Sequence, residues 1–304
     1  MRGLIVASPE AVSTSPMRLA EELGVGVTFF RERIFPDGEI NVRAESPDAL
    51  RGEREVVLFF SLYPETSLRL VGLLQAIDVV YDYSPTAAVT LVIPYLVYAR
   101  QDKRFLEGEA VSLRVLLRVF EGSGVEGLVS VDTHNPGAVE EYTEMWFCDV
   151  PATTEIARCA GEEVFKGKDF VLVSPDYGGV GRVRAAAEVL GLRYTYLRKE
   201  RDRHTGEVSI QPAEPDLLRG REVLLLDDVV STGGTLVRAA EALKRIGVKK
   251  LVAGATHLLL LDRADERLFD AGYAEIIGSN TVDTPYSRVS VEGLIADAIR
   301  GRRG

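Results

Sequence analysis

The sequence predicts an α/β protein of two domains, each a mainly parallel sheet flanked by helices. Three observations lead to this prediction. Apolar, β-branched runs recur along the whole chain, and stretches with helical spacing alternate with them. Each apolar run is continuous, which indicates a strand covered on both faces. The chain of 304 residues is also long enough for two domains of ordinary size.

The predicted elements follow one another in a regular series. The runs that read as strands are 3–8, 55–62, 88–95, 127–132, 169–176, 222–228 and 251–257. Helical periodicity predicts helices over 67–83, 110–122, 181–191 and 235–247, and the last two end in a Gly suited to a C-cap. Such alternation is typical of largely parallel sheets.

A domain boundary is expected near residues 145–150. About ten strands are too many for one open sheet of ordinary size, and FCDVPATTE (147–155) interrupts the pattern with a Pro before a new helical stretch. We therefore expect one domain at 1–146, a second at 147–284, and a helix within 285–304 that packs back on the first domain. Both halves contain a similar series of elements, which indicates an internal duplication.

The composition excludes several classes of protein. A formal net charge of -10 and a pI of about 5.0 argue against sequence-independent binding of nucleic acid, which needs a large basic surface. The two cysteines, Cys148 and Cys159, are too few for a zinc site or a disulfide framework. The longest apolar segment, 251–261, is too short to span a membrane, and the first residues do not resemble a signal peptide. We expect a soluble cytoplasmic protein.

The stretch VLLLDDVVSTGGTL (223–236) predicts a ligand site. Ligands bind at the carboxyl ends of strands in such sheets, where Asp227 and Asp228 are expected to lie. The turn 231–235 leads into a predicted helix whose first N–H groups can bind an anion. The carboxylates can accept from sugar hydroxyls or hold a metal through water. The alternative is an ordinary turn followed by a helix cap.

The full run of this stretch resembles the phosphoribosyl diphosphate (PRPP) binding motif shared by phosphoribosyltransferases and PRPP synthetases. The resemblance implies that the two acids meet the ribose hydroxyls and that the loop holds the 5-phosphate. The residues it assigns to ribose 5-phosphate are Asp227, Asp228, Ser231, Thr232, Gly233, Gly234 and Thr235.

Four further motifs distinguish between these two enzyme classes. They are RIFPDGEINVR (33–43), IPYLVYARQDKRFLEGEAVS (93–112), VDTHNPG (131–137) and SPDYGGVGR (174–182). In order and approximate spacing they resemble the signatures of the ribose-phosphate diphosphokinase, or PRPP synthetase, family, and the resemblance covers essentially the whole chain. It implies two phosphoribosyltransferase-like domains.

Two of the motifs point to ATP. FPDGE (35–39) suits a type I or type II turn, and the resemblance adds that Phe35, Asp37 and Glu39 help to form the adenine pocket, partly from a neighbouring subunit. In ARQDKR (99–104), the basic cluster suits either a solvated loop or a ligand site. The residues that the resemblance assigns to ATP in this segment are Arg100, Gln101 and Asp102.

Two residues are candidates for a metal site. His134 follows Asp132 at the end of a predicted strand, and the resemblance implies a role in binding Mg²⁺ or an ATP phosphate rather than a structural one. Mg²⁺ prefers oxygen ligands, so direct ligation by the His134 ring is unusual, and the resemblance leaves open whether His134 binds the ion or a phosphate. The resemblance implies that Asp176 contributes to the metal site and the ribose site. Its motif lacks the dinucleotide fingerprint because Arg184 replaces the third glycine.

The segment LRKERDRHTGEVS (197–209) is dense in charge and lies between two predicted strands. It suits an exposed hairpin or a mobile flap. The resemblance implies a catalytic loop in which Lys199 and Arg201 act on the migrating phosphates. Glu200 departs from the family, which often has a basic residue there.

The reaction implied by the resemblance is Mg²⁺-dependent transfer of the diphosphoryl group of ATP to ribose 5-phosphate, giving PRPP and AMP. A homo-oligomer, a dimer or a multiple of dimers, is expected because the adenine pocket is implied to be shared. Two alternatives are a phosphoribosyltransferase that consumes PRPP and a catalytically silent regulatory subunit. FPDGE and ARQD argue against the first, and Lys199, Arg201, His134 and Asp176 argue against the second.

Overall fold

The computed structural model describes residues 3–9, 14–201 and 208–303. The chain divides into two compact units: unit 1 is Met1–Val150 with Val291–Gly304, and unit 2 is Pro151–Ser290. Unit 2 is therefore a continuous insertion within unit 1. Residues 147–150, where the sequence pattern predicts a break, complete a strand that pairs with Gly127–Val131, so unit 1 extends to Val150.

The sheet of unit 1 has seven strands in its described residues, in the order β3-β2-β1-β4-β5-β6-β7. All neighbours are parallel except β2 and β3, which form an antiparallel hairpin at one edge. The strands are β1 Leu4–Pro9, β2 Gly26–Ile34, β3 Ile40–Ala44, β4 Glu55–Phe59, β5 Ala88–Val92, β6 Gly127–Val131 and β7 Trp146–Val150.

The described residues of unit 2 form a second seven-stranded sheet, in the order β10-β9-β8-β11-β12-β13-β14. Again only the edge hairpin, β9 with β10, is antiparallel. The strands are β8 Phe170–Ser174, β9 Arg193–Arg201, β10 Val208–Pro212, β11 Glu222–Val230, β12 Lys250–Leu258, β13 Glu275–Ser279 and β14 Ser287–Val289.

Helices cover both faces of each sheet. They are α1 Ser15–Leu23, α2 Thr66–Tyr83, α3 Ser112–Gly122, α4 Pro136–Tyr142, α5 Thr153–Cys159, α6 Val180–Leu190, α7 Pro215–Leu218, α8 Gly234–Arg245, α9 Ala264–Asp270 and α10 Glu292–Arg303. Helix α10 packs on α1 and on β6 and β7 in unit 1. In the described part of the chain, no helix combines the length and apolar character needed to cross a membrane.

The burial of β11 shows why its apolar run is continuous. Val223 and Leu225 belong to one apolar cluster, whereas Leu224 and Leu226 belong to another. Successive side chains of a strand point to opposite faces of its sheet, so both faces of β11 are buried. Gly191 ends α6 in the left-handed conformation (φ 65°), as the sequence predicts for a C-cap.

Candidate active site

The acid pair of unit 2 lies near the carboxyl end of β11, which runs to Val230, two residues beyond the predicted strand. Asp228 is buried, and its Oδ2 lies 3.1 Å from Nη2 of Arg182. The backbone N–H of Asp228 donates to Oδ1 of Asp227, and the N–H of Val229 donates to Oδ1 of Asp228, both at 2.9 Å. Both carboxylates are thus held by local hydrogen bonds, and Asp228 is also held by a cation.

Burial raises the pKa of Asp227 well above its ordinary value, and the negative charges of Asp228 and Asp176 raise it further. The pKa of Tyr273 is also well above its usual range, because the phenol is buried and Asp227 lies nearby. Its hydroxyl donates to the carbonyl of Leu236 at 2.8 Å. The carboxylates of Asp176, Asp227 and Asp228 thus lie close together near the carboxyl ends of their strands. Such a group favours binding of a cation or of a hydrogen-bond donor such as a sugar hydroxyl.

Loop 231–235 has the backbone of an anion site. Gly233 is the N-cap of α8 and has a φ of 73°, in the left-handed region. No acidic side chain occupies the first turn of α8, and Lys244 and Arg245 lie in its last turn. The first N–H groups of a helix lack intrahelical partners and carry partial positive charge. An anion such as a phosphate group would therefore be stabilised at this loop.

One glycine of this loop, Gly233, is favoured by its left-handed backbone. Any other residue at position 233 would have an unfavourable φ, and its Cβ would lie 3.5 Å from Cβ of Ala264 in α9. A Cβ on Gly234 would lie 3.6 Å from Nη1 of Arg238, so that guanidinium adds positive charge beside the loop. The carbonyl of Ser231 accepts from the N–H of Leu261 at 3.0 Å.

The segment behind the loop has strained backbone. Leu260, Asp262 and Arg263 all have positive φ values, of 48°, 53° and 57°. Such conformations are uncommon for residues other than glycine and persist only where the surroundings enforce them. Here the strained turn joins β12 to α9, the helix that contacts Gly233, and Leu261 in the same turn binds Ser231.

Asp176 is fixed at the neighbouring strand end. It follows β8, which pairs with β11, so Asp176 and Asp227 lie at the same edge of the sheet. The N–H of Gly179 donates to Oδ1 of Asp176 at 3.2 Å, and Oγ of Ser174 donates to the Asp176 carbonyl at 2.7 Å. A Cβ on Gly179 would lie 2.6 Å from that Oγ, so this close turn excludes a side chain there.

In unit 1, two of the predicted motifs meet at the carboxyl ends of β5 and β6. Nδ2 of Asn135 donates to Oδ2 of Asp102 at 2.5 Å, and the Tyr142 hydroxyl donates to the Asp102 carbonyl at 3.0 Å. Asp102 is buried, whereas Arg100 is exposed and Gln101 half-buried. The carboxylate of Asp102 therefore fixes the loop. The assignment of Arg100, Gln101 and Asp102 to ATP stays a prediction.

The basic loop after this motif is ordered by Glu109. Its Oε2 accepts from the N–H groups of Phe105 and Leu106 at 3.0 and 2.9 Å. Nε of Arg104 donates to the Glu109 carbonyl at 3.1 Å. Lys103 and Arg104 remain exposed, so the segment is a solvated loop with a fixed backbone. Its role as a ligand site stays a prediction.

FPDGE closes the β2–β3 hairpin. The N–H of Gly38 donates to the carbonyl of Phe35 at 2.9 Å, and the N–H of Phe35 donates to the carbonyl of Glu39 at 2.8 Å. Gly38 has a φ of 91°, whereas Asp37 has no positive φ, so the turn is type I rather than type II. Asp37 and Glu39 are exposed, and the ring of Phe35 lies 4.7 Å from the guanidinium of Arg33.

His134 is exposed and lies in unit 1, whereas Asp176 lies in unit 2. His134 follows Asp132, which is buried and has a φ of 38°, and precedes Asn135, which caps α4 by accepting from the N–H of Ala138 at 3.4 Å. Within residues 3–9, 14–201 and 208–303, no group of three or more His, Cys, Asp or Glu side chains is arranged to hold a metal.

The predicted catalytic flap is described only in part. Lys199 pairs with Ile210 and Arg201 pairs with Val208 in the antiparallel backbone register of β9 and β10. The side chains of Lys199 and Arg201 and all of residues 202–207 lie outside the described residues. The roles of these two residues stay a prediction.

Three residues that support the site were not predicted from the sequence: Arg182, Arg238 and Asn135. Arg182 and Asn135 lie within motifs that were singled out, but their partners, Asp228 and Asp102, are distant in sequence. Arg238 lies one helical turn beyond Gly234, and this spacing could have revealed it, because residues four apart share one face of a helix.

Comparisons with known proteins cover the whole chain. Residues 5–124 match the family model for the N-terminal domain of ribose phosphate pyrophosphokinase, and residues 151–291 match that for the phosphoribosyl transferase domain. A ribose-phosphate pyrophosphokinase from Methanopyrus kandleri is 36% identical over 301 residues, which cover 99% of this chain and 100% of the relative. One from Sulfolobus acidocaldarius is 36% identical over 294 residues, covering 95% and 96%.

A solved structure agrees with these matches. The crystal structure of phosphoribosylpyrophosphate synthetase from Mycobacterium smegmatis superposes with a TM-score of 0.86 at 29% identity, and the match covers 100% of both chains. The predicted fold class, two phosphoribosyltransferase-like domains with mainly parallel sheets, is confirmed.

Proposed function

Because the chain belongs to the ribose-phosphate pyrophosphokinase family, we propose that it transfers the β,γ-diphosphoryl group of ATP to the 1-hydroxyl of ribose 5-phosphate. The hydroxyl oxygen bonds to the β-phosphorus, the bond from that phosphorus to the oxygen bridging the α-phosphate breaks, and the hydroxyl loses its proton. PRPP and AMP are the products. The match of the whole chain to ribose-phosphate pyrophosphokinases, including the N-terminal domain at residues 5–124, is the observation that carries this proposal. The acid pair and the left-handed glycine N-cap of α8 support the ribose 5-phosphate site.

Unit 2 binds ribose 5-phosphate in this proposal. The N–H groups at the start of α8 and the hydroxyls of Ser231, Thr232 and Thr235 donate to the 5-phosphate. Asp227 and Asp228 accept from the ribose hydroxyls, and Arg182 keeps the Asp228 carboxylate in place. The sugar is thereby held at both ends, which positions its 1-hydroxyl.

Unit 1 binds ATP in this proposal. The exposed guanidinium of Arg100 neutralises triphosphate charge, work suited to its forked donors. Gln101 lies beside it, and Asp102 holds their loop through Asn135. Phe35, Asp37 and Glu39 contribute to the adenine pocket from the hairpin turn, which Gln75 anchors to α2 by bonding both Ile40 and Val42.

The carboxylates of unit 2 fit Mg²⁺. Magnesium prefers oxygen, keeps several waters and is usually held by one or two carboxylates together with substrate phosphates. Asp176, close enough to Asp227 to raise its pKa, is such a donor. Asp176 would hold the ion, which would neutralise phosphate charge. The family resemblance separately supports His134 as a residue for Mg²⁺ or for an ATP phosphate.

A coupled product assay tests the activity. The protein is mixed with Mg²⁺, ATP and ribose 5-phosphate, and AMP and PRPP are quantified. We expect the two products in equal amounts, with none when ribose 5-phosphate is omitted. Consumption of PRPP in the presence of a nucleobase without this synthesis would indicate a phosphoribosyltransferase. Nucleotide binding without turnover would indicate a regulatory subunit.

The flap residues are tested by substitution. Lys199→Ala and Arg201→Ala should abolish turnover and leave substrate binding largely intact, because interactions made mainly in the transition state act on kcat. Glu200→Ala, between them, is the matched control and should keep substantial activity. A loss confined to ATP affinity would contradict the catalytic role.

The oligomer is tested by mixing inactive variants. In a closed homo-oligomer with a shared ATP site, Asp37→Ala and Lys199→Ala disable different parts of each site, so a mixed interface contains one intact set of groups. Mixing the two variants should restore part of the activity once subunits exchange. Persistent inactivity after demonstrated exchange, or full turnover by a verified monomer, would show that the site is not shared.

A further inference from the structure

Unit 1 contains a cavity of about 450 Å³ at the amino-terminal ends of its strands. The ATP motifs lie at the opposite, carboxyl ends. The amino-terminal ends of β4, β5 and β7 form its floor, and Ile299 and Arg302 of α10 line it from above. ARQD and VDTHNPG follow the carboxyl ends of β5 and β6. The cavity is therefore separate from the candidate active site, and its volume lies within the range of small-molecule sites.

An aromatic face lines this cavity because a glycine lies beneath it. A Cβ on Gly127 would lie 1.9 Å from Cε2 of Trp146, so only glycine lets the indole lie across β6. On the adjoining strand β5, Ala88 and Thr90 are small and leave the space open. The guanidinium of Arg302 lies 4.5 Å from the centroid of the indole, so an organic cation already contacts this face within the chain.

Two carboxylates line the same cavity. Glu55 begins β4, and Glu126 precedes β6 and donates its backbone N–H to Val89 of β5 at 2.9 Å. Strands β4 and β6 are separated by β5, so the two backbones lie about 10 Å apart at the spacing of neighbouring strands. Val57 and Ile299 supply apolar surface. The lining thus combines two separated anions, an aromatic face and aliphatic groups.

We propose that this cavity binds a linear alkyl polyamine. Its ammonium groups would pair with Glu55 and Glu126, its methylene chain would cover Ala88 and Ile299, and one ammonium would take the place of Arg302 on Trp146. Arg302 is then a cation that competes for the face of Trp146. This proposal does not depend on the proposed enzymatic function.

Trp146 is the single tryptophan of the chain, so the tryptophan fluorescence of the protein comes from this cavity. Spermidine is titrated into the full-length protein at constant ionic strength, and tryptophan fluorescence is followed together with the heat of binding. We expect a saturable fluorescence change with a stoichiometry of one. An unsaturable change would show only non-specific attraction to an acidic protein and would overturn the proposal.

Matched variants test the residues. Glu126→Gln, at an exposed position, and Glu55→Gln should each weaken spermidine binding about tenfold through loss of a charge-assisted contact. Glu140→Gln removes an exposed carboxylate on α4 and should leave the affinity unchanged. Equal affinity in wild type and both cavity variants, or equal weakening in Glu140→Gln, would overturn the site.

Arg302→Ala separates competition from a structural role. Loss of the resident cation should tighten spermidine binding several-fold and change the starting fluorescence, because Trp146 loses its neighbour. Arg300→Ala removes the same charge from the same helix and should not tighten binding, because Arg300 pairs with Asp297 instead. Weaker binding in Arg302→Ala at unchanged thermal stability would contradict displacement.

Discussion

The two sheets of this protein have the same strand order and the same single antiparallel hairpin, yet the ends of their fourth strands differ in chemistry. The register begins with Leu4 opposite Glu55 in unit 1 and with Phe170 opposite Glu222 in unit 2. Counted from these pairs, Phe60 in unit 1 occupies the position of Asp227 in unit 2. Phe60 is fully buried in the apolar core, whereas Asp227 is a carboxylate with a raised pKa.

This difference shows that matching positions of two sheets with the same strand order can hold either a core side chain or a carboxylate with a raised pKa. In unit 1 the strand end adds an aromatic ring to the core, which stabilises the fold. In unit 2 it places charge in a partly buried environment, which destabilises the unliganded fold. The substitutions below test this division, from the largest expected effect to the smallest.

Phe60→Ala should destabilise unit 1 most. Deleting a fully buried Phe side chain costs about 3–5 kcal/mol, because apolar contacts are lost and a cavity remains. Urea unfolding followed by the fluorescence of Trp146, which lies in unit 1, measures the loss. Asp227→Ala, at the matching position of unit 2, should not lower stability. A loss below about 1 kcal/mol for Phe60→Ala would contradict its place in the core.

Gly233→Val should affect ribose 5-phosphate far more than ATP. The new side chain would strain a φ of 73° and press on Ala264, so the phosphate loop would lose its hydrogen-bond geometry. We expect the KM for ribose 5-phosphate to rise roughly 100-fold with little change for ATP. Gly247→Val, at a φ of 80° in open space, is the control for backbone strain alone. Equal changes for both substrates would refute the assignment.

Arg182→Gln should have an intermediate effect. Asp228 would lose the cation 3.1 Å from its carboxylate, so the KM for ribose 5-phosphate should rise about tenfold. Arg182→Lys should rescue part of this loss. The control is Arg184→Gln on the same helix. The side chain of Arg184 is exposed, and its ion pair with Glu188 is long, at 3.9 Å, and therefore weak. Identical kinetics in both Gln variants would remove Arg182 from the site.

Asp227→Asn should stabilise the unliganded protein by about 1 kcal/mol at neutral pH while lowering activity. The raised pKa means that, above the unfolded value of about 3.9, the native state binds more protons than the unfolded state. Stability of the wild type therefore falls as pH rises through the raised pKa. Asn cannot ionise, and its oxygen can still accept from the Asp228 N–H.

Thermal unfolding from pH 4 to pH 8 measures this effect. The difference in Tm between Asp227→Asn and wild type should be small at the acid end and grow with pH. Asp216→Asn, at an exposed residue of unit 2, should show no such trend. A constant difference across the range would mean that Asp227 does not titrate as its environment implies.

The strands that the sequence predicted are buried along most of their length. Strand β13 is equally buried but was missed, because Glu275–Ser279 contains only two large apolar residues. Continuous apolar runs identified β1, β4, β5, β6, β8, β11 and β12. The edge hairpin β2–β3 was missed because β3 alternates buried and exposed residues and β2 ends in charged, mostly exposed ones. Strand β7 is half-buried and ends beside Pro151, and β14 has three residues, so neither gives a continuous apolar signal. Their pairing partners, rather than local propensity, make them strands.

The candidate site was predictable where its chemistry is local in sequence. The acid pair and glycine turn of 227–235 lie on one loop, so their order alone indicated an anion site. The bonds from Asn135 to Asp102 and from Arg182 to Asp228 join residues that only folding brings together. The burial of Asp102 was equally invisible. It adds support of the loop through Asn135 to the predicted contact with ATP, which stays a prediction.

The order of synthesis differs from the order in which the two units can be completed. Unit 2 is continuous from Pro151 to Ser290, whereas unit 1 needs α10, which is translated only after all of unit 2. On the ribosome, residues 1–150 therefore emerge first but must wait for α10 to cover α1, β6 and β7. A chain that stops at Ser290 would have a finished unit 2 and an open unit 1, whose uncovered apolar surface proteases and chaperones can recognise.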